Sequence, residues 1–582
     1  MSRDPVTGGI SDVAMLVVVG SVTATSMLVW LWGGLAGALF GRGWPTIGAG
    51  DVLGVLTRLP ARLADPAAAW PGAARADLPG PGGFYVALAL IGAVVTLVVV
   101  GLARAGVVSA LRRGPAGARW AGGNDLRVLR ARRTEPAHGR AGRAGLSRGR
   151  AGHGDCRLTL GRHRGRALRA EQRHALVAFG PPQSGKSSGL AIPALLEWDG
   201  PAVASSIKTD LLAATIERRR RLGTVFVFDP FSLAGVSSQT WSPLHAATTW
   251  DGALEVAWRL AAAGEVDQRG VEGGDFWAIA AEQRLAPLLH AAAATGGTID
   301  TVVRWVYGQG ARSLDQALTA LGDRAVSERR RADAHAAYDA VRAFEAQADR
   351  TRSSIEATAQ ALLRPYRFSR VAASARSCEI TPDRLLDEPA TLYLIGDAKA
   401  SKLLRPIFLA LLSEVVDRAY ERATLAGGRL ELPLLLCLDE AGNVAPLPNL
   451  AEIASTAPSH NIQLVSIFHD LQQARTRYGR QAETVVNSHR ARMLLPGVAD
   501  LETLRYFAGL IGDEEARDHT RTTGAGGTTR STALRRRPLV AAEALRRLED
   551  KHALLLYGRL APTRVRLRMW FEDRRLRRLA RR

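Results

Sequence analysis

The chain has 582 residues, 47% hydrophobic and 23% charged, with a formal net charge of +22. That length and apolar content allow several domains with a sizeable core, and they exclude a disordered chain, a collagen-like fibre and a disulfide scaffold. Cys156, Cys378 and Cys437 are far apart and odd in number, so no disulfide or zinc framework is implied and a reducing compartment fits. Only five of the 77 basic residues are lysines, Lys186, Lys208, Lys399, Lys402 and Lys551. With abundant Ala and Gly, this reads as GC-rich coding.

A short N-terminus, 1–12, leads into an uncharged run over 13–41 that as a helix exceeds the ~30 Å hydrocarbon thickness of a bilayer. A second run of spanning length covers 84–103. The first run is too long for a signal peptide, its leading segment sets Arg3 against Asp4 and Asp12, and no clear cleavage site follows. The loop 42–83 holds four Arg and three Asp, whereas 104–173 holds 18 Arg against Asp125, Glu135, Asp155 and Glu171. This asymmetry predicts a multi-pass membrane protein, with the N-terminus and the large C-terminal region in the cytoplasm and the loop outside. The basic belt also suits anionic lipid heads, so charge alone does not establish nucleic-acid binding. Its Gly/Arg-rich part, 136–154, reads as a linker.

From His174 the texture changes. HALVAF has strand character, and it is followed by Gly180, Pro181, Pro182, Gln183, Ser184, Gly185, Lys186, Ser187 and Ser188, then by a stretch of helical character. This is G-x-x-x-x-G-K-[ST] in a strand–loop–helix setting, the pattern of a P-loop. Glycines let backbone N–H groups close around phosphate oxygens and the helix N-terminus adds partial positive charge. In that setting Lys186 reaches the β/γ-phosphates and the Ser187 hydroxyl binds Mg²⁺. The predicted ligands are therefore ATP and Mg²⁺. The run LPLLLCLDE (432–440) reads as a central strand buried on both faces, ending in Asp439 and Glu440. Two acids there are costly unless they serve a cation or a partner. Asp439 is assigned to the Mg²⁺ shell and Glu440 to orienting and polarising the attacking water.

Further strand-like runs lie at 202–207, 224–228, 391–396, 462–467 and 491–495, and helical stretches at 209–221, 402–424, 449–457 and 499–511 alternate with them. The pattern predicts an α/β doubly wound sheet. Between 244 and 374 it turns to amphipathic helices, an all-α domain inserted between a first nucleotide-binding part, 174–243, and a second, 375–573. Residues 519–531 read as a polar Gly/Thr/Arg loop, and 574–582 as a basic tail suited to phosphates, acidic lipid or an acidic partner.

Together these motifs resemble the type IV coupling proteins, the TraG-like membrane ATPases of conjugative DNA transfer. The resemblance runs from about Phe84 to Asp573 and is carried by ARW-x₄-DL (118–126), GPPQSGKSS, SSIKTDLL (205–212), FDPF, WSPL, LLLCLDEAGNVAPLPNL, NIQLVSIFHDLQQ and VVNSHRARMLLPG. It implies a RecA-like P-loop motor with an all-α cap, usually a homo-hexamer, that uses ATP to feed DNA to a type IV secretion channel. That DNA would be single-stranded, relaxase-bound and selected at the relaxosome. Lys186, Ser187, Asp439 and Glu440 fall at the family's nucleotide and metal positions. His469 stands where relatives usually carry a Gln that senses the γ-phosphate. An imidazole still offers one hydrogen bond, but its charge varies near neutral pH, so a sensor and an ordinary surface histidine both stay open. Arg490 and Arg492 are the candidates for an arginine supplied to a neighbour's site, against the alternative of solvated or salt-bridged side chains. Lys208 is read either as a contact to DNA or a neighbour, or as a helix-start residue. Two other functions stay in view: a septal-type double-stranded DNA translocase, and a docking receptor that uses ATP as an assembly switch. The inserted helices and the lack of a C-terminal winged-helix module argue against the first, and the intact acids against the second.

Overall fold

The structure is a computed structural model that describes residues 8–104, 117–130, 157–172, 174–268, 274–524 and 527–581. The linker 136–154 and much of the arginine belt lie outside the described residues. The chain divides into two compact units, Met1–Ala116 and Gly117–Arg582.

In the first unit, helices Gly8–Phe40 and Pro81–Arg104 contain the two runs, and the segments Ser21–Phe40 and Pro81–Gly101 are long and apolar enough to cross a membrane. They meet around an aromatic cluster of Trp32, Trp70 and Phe84, in which the Trp32 indole N–H donates to the Phe84 carbonyl at 2.6 Å. Small residues make the approach possible, for a Cβ on Gly33 would lie 2.5 Å from the Trp70 ring. The segment between the spans is itself folded, with helix Ala49–Arg58 and a buried Trp70.

The second unit is built on an 11-stranded sheet in the order β2-β1-β13-β12-β9-β3-β8-β7-β4-β6-β5. Its strands are β1 (Thr159–His163), β2 (Arg166–Arg169), β3 (Leu176–Phe179), β4 (Ala202–Ser206), β5 (Val225–Phe228), β6 (Thr391–Ile395), β7 (Leu434–Leu438), β8 (Ile462–Phe468), β9 (Ala491–Leu494), β12 (His552–Tyr557) and β13 (Thr563–Arg566). The block from β9 to β5 is parallel throughout. Its β3, β4, β6, β7 and β8 are buried at every position, as continuous apolar runs covered on both faces should be. One face packs against helices Ile192–Glu197 and Asp210–Arg220. The other packs against the 28-residue helix Ala398–Leu425, whose start is fixed by Asp397 accepting from the Lys399 and Ala400 N–H groups at 3.0 and 2.7 Å. Between β5 and β6 all regular structure among the described residues is helical, from Pro243–Thr248 to Pro382–Leu386.

Three expectations change. The sheet begins before residue 174, since β1 and β2 form a hairpin that pairs with β13. The predicted loop 519–531 falls in a long hairpin, β10 (Asp513–Gly524) with β11 (Gly527–Pro538), in register from Asp513↔Pro538 to Gly524↔Gly527. The basic tail is not loose: Arg574–Arg581 is a helix whose Leu576 is fully buried in the core beside helix Asp210–Arg220. An i, i+3 pair of apolar residues, Leu576 and Leu579, was enough to dock it.

Candidate nucleotide site

Three parallel strands converge on the site. The loop Gly180–Lys186 leaves the C-terminal end of β3 and turns into a single wide π-turn, Ser187–Ala191, that continues as helix Ile192–Glu197. Next along the sheet, β8 ends at Phe468 and delivers His469; beyond it, β7 ends at Leu438 and delivers Asp439 and Glu440. The loop needs its glycines: Gly185 holds φ +87°, and a Cβ on Gly180 would sit 2.4 Å from the Ser184 Oγ. Gln183, at φ +68°, completes the reversal.

Across this edge the predicted residues meet. Lys186 Nζ donates to Glu440 Oε1 at 3.0 Å, and Ser187 Oγ donates to Asp439 Oδ2 at 2.7 Å and Oδ1 at 3.0 Å. His469 Nε2 lies 3.1 Å from each Glu440 oxygen, so this histidine belongs to the site and is not a free surface group. Lys186, Asp439 and Glu440 are all buried. Sequence reasoning missed three supports. The Asn443 side chain donates to Glu440 Oε2 at 3.0 Å, the Ser206 hydroxyl lies 3.4 Å from Asp439 Oδ2, and Gln473 Oε1 accepts from the His469 backbone N–H at 2.7 Å. Ser206 and Asn443 stood inside the quoted motifs, SSIKTDLL and LDEAGN, but nothing in the string says which hydroxyl or amide turns inward.

The two acids differ electrostatically. Burial pushes the Asp439 carboxyl up to about 6, against the Ser187 hydrogen bond and with the Glu440 charge adding to the rise. Burial acts the same way on Glu440, but the His469 hydrogen bond and the Lys186 charge outweigh it and hold that carboxyl below its ordinary value. Glu440 thus has its partners already, Lys186 and His469. Asp439 has hydroxyl partners instead, and a buried carboxylate beside a P-loop serine in that state is a fitting ligand for a divalent cation. Within the loop itself, Ser184 Oγ is buried without a hydrogen-bond partner among the described residues, as expected of a cradle shaped for a polar guest. Ser187 and Asp439 would hold Mg²⁺, with the remaining positions filled by water and phosphate oxygens.

Neither arginine candidate reaches this site in its own chain. β9 runs parallel to β3 with Ala491 opposite Leu176, so Arg490 sits at the opposite end of the sheet from the P-loop. There it contacts Glu171 Oε2 at 3.3 Å and lies over the Tyr557 ring. Arg492 donates to the carbonyls of Val486 and Asn487. Lys208 is exposed and lines an open cleft at the ends of β4 and β6 with Asp210 and Asp397.

The residue beside Arg490 was overlooked. His489 is fully buried, with Nδ1 2.7 Å from the Val485 carbonyl and Nε2 3.0 Å from Ser466 Oγ on β8. The carbonyl requires a proton on Nδ1, so Nε2 accepts from the serine and the ring is neutral. Burial lowers its pKa to about 4. A depressed folded-state value means that the unfolded chain takes up the proton first. The contribution of His489 is therefore complete above pH ~6.5 and is lost as pH falls toward 4, amounting to about 3 kcal/mol. Thermal unfolding of wild type and His489→Gln across that window should show the steeper acid loss in wild type alone.

Comparisons with known proteins bear on the fold and the family. In solved structures, the coupling protein TrwB lacking its first 70 residues, in unbound form, aligns with a TM-score of 0.54 at 17% identity, over 70% of this chain and 87% of that one. TrwB in complex with the non-hydrolysable ATP analogue ADPNP aligns at 0.54 and 16%, over 79% and 95%. TrwB with ADP and Mg²⁺ aligns at 0.54 and 16%, over 78% and 96%. These likenesses establish the RecA-like fold. Among curated proteins, a conjugal transfer protein TraG of Escherichia coli is 24% identical over 357 residues, 58% of this chain and 54% of its own length. The chain thus spans about half the length of the curated relatives it matches. The family model described as type IV secretory system conjugative DNA transfer matches residues 142–581, most of the sequence, and the chain therefore belongs to that family, as a type IV coupling protein.

Proposed function

We propose that the chain is a membrane-anchored ATPase that couples relaxosome-bound DNA to a type IV secretion channel and drives conjugative transfer. The observation that carries this reading is the convergence of Lys186 and Ser187 with Asp439, Glu440 and His469 at one sheet edge. Lys186 holds the β/γ-phosphates of ATP, and Ser187 with Asp439 holds Mg²⁺, which neutralises phosphate charge when bound. Glu440 orients the attacking water and accepts its proton, while His469 couples that carboxylate to the γ-phosphate end. TrwB, of the same fold, has been solved with an ATP analogue and with ADP and Mg²⁺, which supports ATP and Mg²⁺ as the ligands here.

The two apolar helices anchor the chain in the inner membrane with the Gly117–Arg582 unit in the cytoplasm, an orientation supported by the 18 arginines after the second span. The partners are single-stranded, relaxase-bound DNA, relaxosome proteins, the channel and further copies of the chain in a homo-hexamer. In such a ring, hydrolysis at the subunit boundary takes an arginine from the neighbour. Arg490 and Arg492 are offered for this role because they lie far from their own P-loop. The deciding experiment is complementation of a deletion strain in mating assays. Lys186→Ala, present at wild-type level in the membrane, should lower transfer by at least about 10³-fold, the scale of losing a residue on the transferring phosphoryl group. Transfer at the wild-type rate would refute the motor.

A further inference from the structure

We propose that the cleft on the antiparallel flank of the sheet, between the β1–β2 turn and the segment 544–549, binds a compact oligophosphate anion, at a site separate from the P-loop and independent of its reading. Strand register sets the floor of the cleft. Arg162 on β1 lies directly opposite Arg566 on β13, and Arg566 directly opposite His552 on β12, so all three share one face; Arg564 joins them two residues along β13. The turn adds Arg164, and the other wall adds Arg547. The cleft, of about 500 Å³, thus gathers five guanidinium groups against one carboxylate, Glu549, which lies 3.5 Å from His552. Like charges set opposite each other across strands are destabilising, so this row costs stability unless an anion sits on it. Two of the five are partly engaged, Arg162 with Asp573 at 3.0 Å and Arg566 with Glu572 at 3.9 Å. Arg564 is held over the Trp120 ring at 4.8 Å, and neither it nor Arg164 nor Arg547 has an acidic partner among the described residues. All five are exposed.

The turn is built against local preference. His163 pairs with Arg166, leaving a two-residue loop in which Arg164 holds φ +47° and Gly165 φ +76°. Asn, Asp or Gly suits the first of these positions. An arginine there is strained, and strain of this kind points to a role for the side chain. Guanidinium forks take phosphoryl oxygens bidentately. Space decides among the anions. The cleft equals a sphere about 10 Å across, whereas an extended peptide with four carboxylates spans about 13 Å, and a nucleic-acid strand brings one charge per nucleotide. Several phosphoryl groups in a chain concentrate the required charge in that volume. The site also stands on a strand that reaches the P-loop. β13 is antiparallel to β12 and β12 to β9, so β13 points the same way as β3 and releases the chain at the P-loop edge. There the segment 567–571 lies over the loop helix: the Trp570 backbone N–H donates to the Ser188 carbonyl at 3.0 Å, and a Cβ on Gly185 would meet Met569 Cε at 2.6 Å. Arg564 and Arg566 thus belong to the strand that carries the cover of the phosphate loop.

The test is equilibrium titration of inorganic tripolyphosphate, at physiological salt, into the full-length detergent-solubilised chain and into Lys186→Ala, whose P-loop has lost its phosphate contact. Binding should persist in Lys186→Ala. In either background Arg547→Gln should weaken it about tenfold, the scale of one charge-assisted hydrogen bond. Arg164→Asn should weaken it equally while raising the melting temperature, because asparagine suits the turn. That combination marks a binding residue, since a merely structural one would lose stability and affinity together. Arg329→Gln, which removes an exposed charge from helix Glu328–Glu345, should leave binding unchanged. Unchanged affinity in both Arg547→Gln and Arg164→Asn overturns the proposal. So does an equal loss in Arg329→Gln, for binding would then follow net charge alone, and so does abolition of all binding in folded Lys186→Ala. Hexaglutamate or a thymidine oligonucleotide bound more tightly than tripolyphosphate, with the same dependence on Arg164 and Arg547, would replace the oligophosphate site with one for an acidic peptide or a strand.

Discussion

Replacing Glu440 with glutamine should leave ATP bound and lower steady-state hydrolysis by about 10²–10⁴-fold, the usual cost of removing a general base. The geometry explains why binding survives. Glu440 meets Lys186 at 3.0 Å, His469 at 3.1 Å and Asn443 at 3.0 Å, and a glutamine of the same shape keeps a carbonyl for the lysine. It loses the negative charge that Lys186 stabilises and the capacity to accept a proton. Breaking the buried Lys186–Glu440 ion pair also frees the lysine for phosphate, so affinity for ATP should be maintained or raised. Lys186→Ala should do the opposite and lose binding first. Measuring ATP affinity and turnover on the same detergent-solubilised preparations separates the two. In mating assays, Glu440→Gln that still supported wild-type transfer would favour a docking receptor that only needs nucleotide bound.

The parts of the fold legible in the sequence are those where one physical demand dominates. The strands β4, β6 and β7 are buried on both faces, so their runs AVASS, TLYLI and LLLCL have no polar phase to obscure them. The strands that close the sheet on its other side escaped notice. β2 is RALR, with Leu168 alone buried, and β13 is TRVR, with two exposed arginines alternating against two buried positions; both are too short for a period to stand out. The β10–β11 hairpin was disguised by its Gly, Thr and Arg content. Threonine favours a pleated strand, but without an apolar face to bury the pattern looks like a turn.

The site divides along the same line. Lys186, Ser187, Asp439 and Glu440 were readable because phosphate and metal chemistry demands those types at fixed spacing, and His469 because it interrupts a family motif. The cover over the loop was not readable. Met569 and Trp570 lie more than 380 residues from Gly185 along the chain, and only the sheet order brings them together. No local spacing encodes a contact of that kind.

The anchoring of that cover gives the largest stability effect expected of a single substitution. Arg568 Nη1 reaches Glu197 Oε2 at 2.8 Å and Oε1 at 2.9 Å, while its Nε reaches Asp573 Oδ2 at 2.9 Å. The three side chains are 7%, 10% and 6% exposed. Burial pulls the guanidinium pKa down, but the two carboxylates outweigh it and raise it above its ordinary value. Asp573 is correspondingly held below its own, against its burial, chiefly by Arg568. Arg568→Met keeps the bulk of the side chain and removes the principal cation of two buried carboxylates, leaving Asp573 with Arg162 at 3.0 Å and Glu197 with Arg575 at 3.8 Å, and the expected loss is about 3 kcal/mol. Most of that is the cost of leaving two buried carboxylates under-compensated. The triple variant Arg568→Met, Glu197→Gln, Asp573→Asn should therefore recover much of it, and Arg568→Lys little, since one ammonium cannot replace a guanidinium that faces two acids along different edges. Thermal unfolding of the purified full-length chain measures all three. Because the same segment continues into Met569 and Trp570 over the loop, Arg568→Met should also weaken ATP binding at temperatures where the rest of the sheet is still folded. A variant that lost stability while binding ATP with wild-type affinity up to its melting temperature would show that the cover and the loop are mechanically independent.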